Sequence, residues 1–71
     1  MITVKQFNSI AQIQKMQSLA CACPDPVFLH SMDNSVMVDA KSFINLYTLD
    51  FSQPIQIVSE NAALHEAVKE L

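Results

Sequence analysis

The sequence predicts an α+β fold, an open-faced β-sandwich in which helices cover one face of a four-stranded, mostly antiparallel sheet. The chain has 71 residues, which is enough for a single domain over 1–71 with one small core. Hydrophobic residues make up 51% of it and charged residues 15%, a composition that supplies the apolar material such a core needs. The hydrophobic spacing alternates between strand and helix periods, and gives the order β-α-β-β-α-β-α.

The first strand and the first helix are predicted from hydrophobic spacing. Residues 1–7 alternate between apolar and polar side chains, as a strand does. The next residues show helical spacing with glutamines on the opposite side, and we expect Asn8 or Ser9 to cap this helix and Pro24 and Pro26 to end it. The apolar residues that define the two elements are Ile2, Val4, Phe7, Ile10, Ile13, Met16, Leu19 and Ala20.

A β-hairpin is predicted next, from extended runs at 27–32 and 36–39 on either side of a polar turn. The chain contains no glycine, the residue that most easily adopts left-handed backbone angles. We therefore expect Asp33 or Asn34 to take those angles, because short polar side chains tolerate them.

The second half of the chain is predicted to form a helix, a strand and a final helix. Ser42 precedes a short apolar helix at 43–49, for which it is the natural N-cap. A proline then introduces a strand at 55–58, since proline is tolerated at the first position of a strand. Ser59 or Asn61 is expected to cap the last helix, which has one apolar face.

The charge pattern argues against nucleic acid as a partner, and the lengths of the apolar runs argue against a membrane. The chain has four lysines and no arginine against seven acidic residues, for a net charge of -3. No basic cluster could neutralise successive phosphates. No apolar run approaches the roughly 20 residues that cross a bilayer, and the polar N-terminal residues do not form a signal peptide. We expect a cytoplasmic protein.

Cysteines and histidines are present but form no recognisable catalytic or metal-binding motif. Cys21 and Cys23 are too close for an easy disulfide and are fewer than the four ligands of a structural zinc site, so we expect two small buried thiols. His30 falls in a predicted strand and His65 in the last helix, where structural or solvated roles are expected. The sequence predicts no metal and no cofactor.

The segment DAKSFINLYTL, together with the element order, resembles the bacterial phosphocarrier family HPr. Members of that family carry a strand that ends in a V-x-A-K-S-type sequence, a short apolar helix, a strand and an amphipathic C-terminal helix. The likeness is closest over 36–48, and at the level of element order it covers nearly the whole chain. It implies an HPr-like domain that works with protein partners of a sugar phosphotransferase-type system.

The same resemblance implies that the family's transfer chemistry is lost. Family members use a histidine at the N-terminus of the first helix to accept a phosphoryl group, aided by an arginine. Counting back from QSLA places Ile10 and Ala11 at those two positions. Isoleucine has no nucleophilic nitrogen and alanine has no charge for a phosphate, so we expect no enzyme activity, as in the histidine-lacking paralogue Crh.

Ser42 is the candidate regulatory site that the resemblance implies. In Gram-positive members of the family the serine of the AKS tripeptide is phosphorylated by a dedicated kinase, which turns the protein into a transcriptional co-regulator. The alternative is that Ser42 only caps the helix that follows it.

The helix after Ser42 is the candidate partner-binding surface. It has apolar residues on too many sides for all of them to reach one core, so we expect Leu46 and Leu49 to pack inward. Phe43, Ile44 and Tyr47 would then form a docking patch in the Ser42 to Thr48 region. The alternatives are that this patch mediates a homodimer or is ordinary exposed apolar surface.

The interpretation that follows is a regulatory or protein-binding module without phosphohistidine transfer. Two other functions stay open: a divergent phosphocarrier with an unusual acceptor, or an unrelated small α+β domain for ligand binding or dimerisation.

Overall fold

The structure is a computed structural model that describes residues 1–46 and 48–71, without the side chains at positions 43 and 45. Three helices and four strands alternate along the described residues. In chain order they are β1 (Ile2–Lys5), α1 (Ile10–Ala22), β2 (Phe28–Ser31), β3 (Met37–Asp39), α2 (Phe43–Leu46), β4 (Ile55–Val58) and α3 (Ala62–Lys69). This is the element order that the hydrophobic spacing predicts.

The strands form one sheet in the order β1-β4-β2-β3, with every neighbouring pair antiparallel. β4 therefore lies between β1 and β2, although it is the last strand in sequence. Its Ile57 is paired with Thr3 on one side and with Leu29 on the other. The predicted α+β class, with helices on one face of an antiparallel sheet, is confirmed.

The core lies between the helices and the inner face of the sheet, which is the face that the helices cover. Leu29, Ile55 and Ile57 supply the strand side and are at most 1% exposed. Burying one such side chain is worth roughly 1.5–3 kcal/mol relative to leaving it in water. The buried residues that the helices contribute are Ile13, Met16, Ala20, Leu46, Leu64 and Val68.

β1 is shorter than predicted, and its apolar residues lie on the face of the sheet that the helices do not cover. It ends at Lys5, because Phe7 leaves the strand to pack edge-to-face against Phe51, with ring centroids 5.6 Å apart. Thr3 and Lys5 point to the helix side, where the Lys5 Nζ donates to the Leu71 carbonyl at 3.0 Å. The apolar alternation is present, but it lies on the uncovered face of the sheet.

Side-chain caps define where the two longer helices begin. Ser9 Oγ accepts from the Gln12 N–H at 3.2 Å at the start of α1, and Asn61 Oδ1 accepts from the Leu64 N–H at 2.9 Å at the start of α3. Of the alternatives that the sequence left open, these two are correct. Ile10, expected on the apolar side of α1, is 64% exposed, so the buried stripe begins one turn later.

The two cysteines differ in exposure, whereas both were expected to be buried. Cys23 is buried at the end of α1, but Cys21 is exposed. Each helical residue rotates by about 100°, so side chains two positions apart point to nearly opposite sides. Cys21 accordingly points away from the core, and its Sγ accepts from Gln17 Nε2 at 3.4 Å.

His65 links α3 to the sheet and to the segment that precedes α3. It is 5% exposed, with Nδ1 2.7 Å from Thr3 Oγ1 and Nε2 2.8 Å from the Ser59 carbonyl oxygen. A carbonyl can only accept, so Nε2 carries a proton, and in the neutral imidazole Nδ1 accepts from the threonine hydroxyl. Its role is structural, which is one of the two roles expected from the sequence.

We expect His65→Phe to lower the free energy of unfolding by about 1–3 kcal/mol, because it leaves the Ser59 carbonyl without its donor. Urea unfolding followed by circular dichroism measures the change. His30→Phe is the matched control, since the His30 side chain makes no hydrogen bond within the described residues. Equal stability of the two variants would show that the His65 hydrogen bonds contribute nothing.

Two isoleucines give a direct test of which sheet face is buried, since Ile57 is fully buried and Ile2 is 60% exposed. We expect Ile57→Val to lower the free energy of unfolding by about 0.5–1.5 kcal/mol and Ile57→Ala by about 2–5 kcal/mol. Ile2→Ala should change it by about 0.5 kcal/mol or less. A larger loss for Ile2→Ala than for Ile57→Ala would contradict the orientation of the sheet.

Candidate functional site

The AKS tripeptide forms a tightly held turn between β3 and α2. Ala40 is fully buried, and its N–H donates to the Val27 carbonyl at 2.9 Å. The Lys41 N–H donates to Asp39 Oδ1 at 2.9 Å, and the Ser42 N–H donates to the Asp39 carbonyl at 3.1 Å. The turn therefore needs a small residue at position 40 and an acceptor side chain at position 39.

Ser42 lies directly before the first residue of α2 and is half-buried. This is the position that the sequence analysis gives it. Its backbone is fixed by the bond to Asp39, so its side chain starts from a defined point on the surface. Capping of α2 by Ser42 and phosphorylation of Ser42 stay predictions.

α2 is described over Phe43–Leu46 and is shorter than predicted, because residues 48 and 49 are not helical. The Leu49 N–H donates to the Leu46 carbonyl at 3.2 Å, which is the three-residue spacing of a tighter turn than the α-helix. Leu46 and Leu49 are 1% and 6% exposed, so the expectation that both pack inward is confirmed.

Ile44 is the one member of the expected docking patch whose side chain lies within the described part of the structure. It is 81% exposed, the highest value among the large exposed apolar side chains of the described residues. It points outward as expected, while its role in binding a partner stays a prediction. The other two members of the patch, Tyr47 and the Phe43 side chain, lie outside the described residues.

A hollow of about 380 Å³ lies beside this region, between the β2–β3 turn and the segment that follows α2. Its wall combines apolar side chains such as Val36 and Leu49 with two carboxylates, Asp33 and Asp50. Sequence reasoning missed it. The signal was present as a repeated D-x-S pattern, at 33–35 and at 50–52.

Both carboxylates are tied to the serine two residues later. Asp33 Oδ1 accepts from the Ser31 hydroxyl at 2.7 Å, the Ser35 hydroxyl at 2.7 Å and the Ser35 N–H at 3.0 Å. The Ser31 and Ser35 hydroxyls, followed by the Ser35 N–H, lower the pKa of Asp33 from 3.8 to about 2. The Ser52 hydroxyl and N–H likewise lower the pKa of Asp50.

The left-handed position of the β2–β3 turn is Asn34, with φ of 61°. Of the two residues that the sequence analysis offered for this role, Asn34 is therefore the correct one. Asp33 instead supplies the carboxylate that organises the turn. Asn34 adopts the left-handed backbone angles for which glycine is usual, and the Asp33 side chain stabilises the turn by hydrogen bonds.

The resemblance to HPr assigns the phosphoacceptor to the N-terminus of α1, and the absence of that chemistry in this chain stays a prediction. Ile10 and Ala11 are both exposed there. The capping side chains already occupy nearby amides, since Ser9 Oγ binds the Gln12 N–H and Gln12 Oε1 accepts from the Asn8 N–H at 2.7 Å. His65 is buried on α3, and both of its ring nitrogens are in hydrogen bonds.

Within residues 1–46 and 48–71, no three His, Cys, Asp or Glu residues come together as metal ligands. None of the described helices is both long and apolar enough to cross a membrane. No family model, curated protein or solved structure matches the chain.

Asp33 provides a pH-dependent test of the turn beside the hollow. We expect its carboxyl group to titrate near pH 2, because hydrogen bonds favour the ionised form. A pKa that is lower in the folded than in the unfolded chain stabilises the fold above pH 3.8, and the effect is lost as the pH falls towards 2.

This titration would be followed by the ¹³C chemical shift of the Asp33 carboxyl group, recorded from pH 1.5 to pH 7 in steps of about half a pH unit. Ser35→Ala should move the midpoint of Asp33 upward, because it removes one donor. Ser18→Ala is the control, since Ser18 lies exposed on α1. A midpoint close to the ordinary aspartate value in the unmodified protein would contradict the hydrogen bonds to Asp33.

Proposed function

We propose that the chain is an HPr-like regulatory or protein-binding module of a sugar phosphotransferase-type system, located in the cytoplasm and without phosphohistidine transfer. Its partner is a protein that docks on the Ser42 to Thr48 region. The observation that carries the proposal is the 81% exposure of Ile44 two residues after Ser42. An aliphatic side chain that exposed, on a firmly held turn, is suited to anchor a partner.

The rigid turn supports a role for Ser42 in recognition. A kinase must bind its target serine in a defined backbone conformation, and three hydrogen bonds fix residues 40–42 against the sheet. Leu46 and Leu49 anchor the far side of the region in the core. Ser42 and Ile44 are therefore offered together from a stable base, with little conformational entropy to lose on binding.

The residues at the start of α1 support the absence of phosphocarrier activity. Exposed Ile10 and Ala11 provide neither a nucleophile nor a cation for a phosphoryl group. We therefore expect no label when the protein is incubated with phosphoenolpyruvate and the general phosphotransferase enzyme, beside an HPr control that is labelled. A stable phosphohistidine in this chain would favour the divergent-phosphocarrier alternative.

Incubation with ATP and an HPr-type serine kinase tests the regulatory role. We expect one added phosphoryl group, mapped to Ser42 by peptide mass spectrometry. It should be absent from Ser42→Ala and present in Ser18→Ala, a variant of an exposed serine on α1. An unmodified Ser42 beside a modified HPr control would contradict the proposed switch.

The same kinase serves as the partner that tests the docking surface. We expect Ile44→Ser to raise the KM of the kinase for this protein by roughly fivefold to thirtyfold, since anchor residues contribute about 1–2 kcal/mol or more. Met37→Ser is the matched control, because Met37 is 65% exposed on a different element. An equal effect of both substitutions would remove Ile44 from the docking surface.

A further inference from the structure

The open face of the sheet, opposite the helices, carries exposed apolar side chains in two cross-strand rows. Strand pairing places Ile2, Val58 and Phe28 side by side in one row across β1, β4 and β2. The next row has Val4 and Met37 at its ends and the polar residues Gln56 and His30 between them. Ile2, Val4, Phe28 and Met37 are between 42% and 65% exposed.

One end of this face has a hollow with carboxylates on its rim. The hollow holds about 350 Å³, and its apolar lining comes from Pro26, Phe28 and Val58. Asp25 and Glu60 also line it, and both are exposed. A third exposed carboxylate, that of Asp39, follows Phe28 in the same cross-strand row.

None of the four lysines occupies a strand position on the open face, where it could neutralise these carboxylates. Lys5 points to the helix side and is bound to Leu71, and Lys15 and Lys69 lie on α1 and α3. Lys41 lies in the turn before α2. The Met1 amino group lies 3.8 Å from the 94% exposed Glu60 carboxylate, and ion pairs that exposed are weak.

A second copy of the chain fits this face poorly. A stable dimer buries roughly 800 Å² on each partner, which is about a fifth of the 4128 Å² surface of this protein. Four strands of about four residues cover only about 19 by 13 Å. A copy would also bring the same carboxylates without lysines to meet them, and nucleic acid or an anionic membrane would be repelled.

We infer that the open face binds a cationic segment of a partner protein, in which a large apolar side chain is flanked by lysine or arginine. The apolar side chain occupies the hollow over Phe28 and Val58, and the cations face Asp25 and Glu60. Charge complementarity and the size of the hollow carry this inference. The surface is separate from the Ser42 to Thr48 region, so it does not depend on the function proposed for that region.

Titration with a synthetic peptide tests the inference. The probe is the pentapeptide Lys-Leu-Lys-Phe-Lys with both ends blocked, and the control is Glu-Leu-Glu-Phe-Glu. In ¹⁵N-correlated spectra we expect the lysine peptide to shift amides around Ile2, Phe28 and Val58, with an affinity at least tenfold above that of the glutamate peptide. No shifts at millimolar peptide, or equal binding of both peptides, would overturn the inference.

Variants separate the two parts of the site. Phe28→Thr should abolish the shifts, while Ile10→Thr, at an exposed apolar position on α1, should leave them unchanged. Asp25→Asn combined with Glu60→Gln should weaken binding by roughly threefold to tenfold, as expected for two exposed charge pairs. Circular dichroism establishes that each variant is folded.

Three other outcomes would also overturn the inference. The first is retention of full affinity by Phe28→Thr. The second is a set of shifts that map to the groove between α1 and α3. The third is a concentration-dependent dimer, detected by sedimentation and lost in Phe28→Thr, because a second copy would then be the occupant of the face.

Discussion

Burial of a single face of the sheet is the interaction on which the rest of the structure depends. β4 lies in the middle of that sheet, and its Ile55 and Ile57 are covered by the helices. The three described helices cover one face of the sheet. Side chains alternate along each strand, so covering one face leaves the apolar side chains of the other face in water. The core and the open face are two results of the same constraint.

The lack of glycine imposes a second constraint, which the chain meets with side chains that bond to the backbone. Three aspartates each accept a hydrogen bond from the N–H two residues further along, and so stabilise a turn without glycine. They are Asp33, Asp39 and Asp50. The turn that presents Ser42 is one of the three, so the geometry of the candidate site depends on the same device as the hairpin turn.

Hydrophobic period predicted the elements well, because it reports which residues share a side. Hydrophobic period does not predict which side of a strand is buried when one side carries apolar residues and the other carries polar residues with hydrogen-bond partners. In β1 the inner face carries Thr3 and Lys5, and the apolar pair Ile2 and Val4 lies on the outer face. Thr3 and Lys5 are hydrogen-bonded to His65 and Leu71, which lie more than sixty residues away in sequence. Local pattern contains no information about such distant partners.

The candidate site was predictable to a similar extent. The inward packing of Leu46 and Leu49 and the exposure of Ile44 follow from crowding of apolar residues on a short segment. That α2 does not reach residue 49 does not follow, because it depends on the tighter turn in which the Leu49 N–H donates to the Leu46 carbonyl. The hollow between Asp33 and Asp50 requires two turns that are distant in sequence, so only their separate D-x-S patterns are visible in the sequence.

The open face and the Ser42 region are separate surfaces, but Asp39 lies next to both. Its carbonyl holds the Ser42 N–H, while its side chain lies at the end of the row that contains Phe28. A phosphoryl group on Ser42 would add a charge of about -1.5 to -2 at neutral pH. The open face is already acidic at this end, so an added charge within a Debye length of roughly 10 Å would strengthen its attraction for a cationic segment. If the proposed phosphorylation of Ser42 occurs, it would thereby also raise the affinity of the open face for that segment.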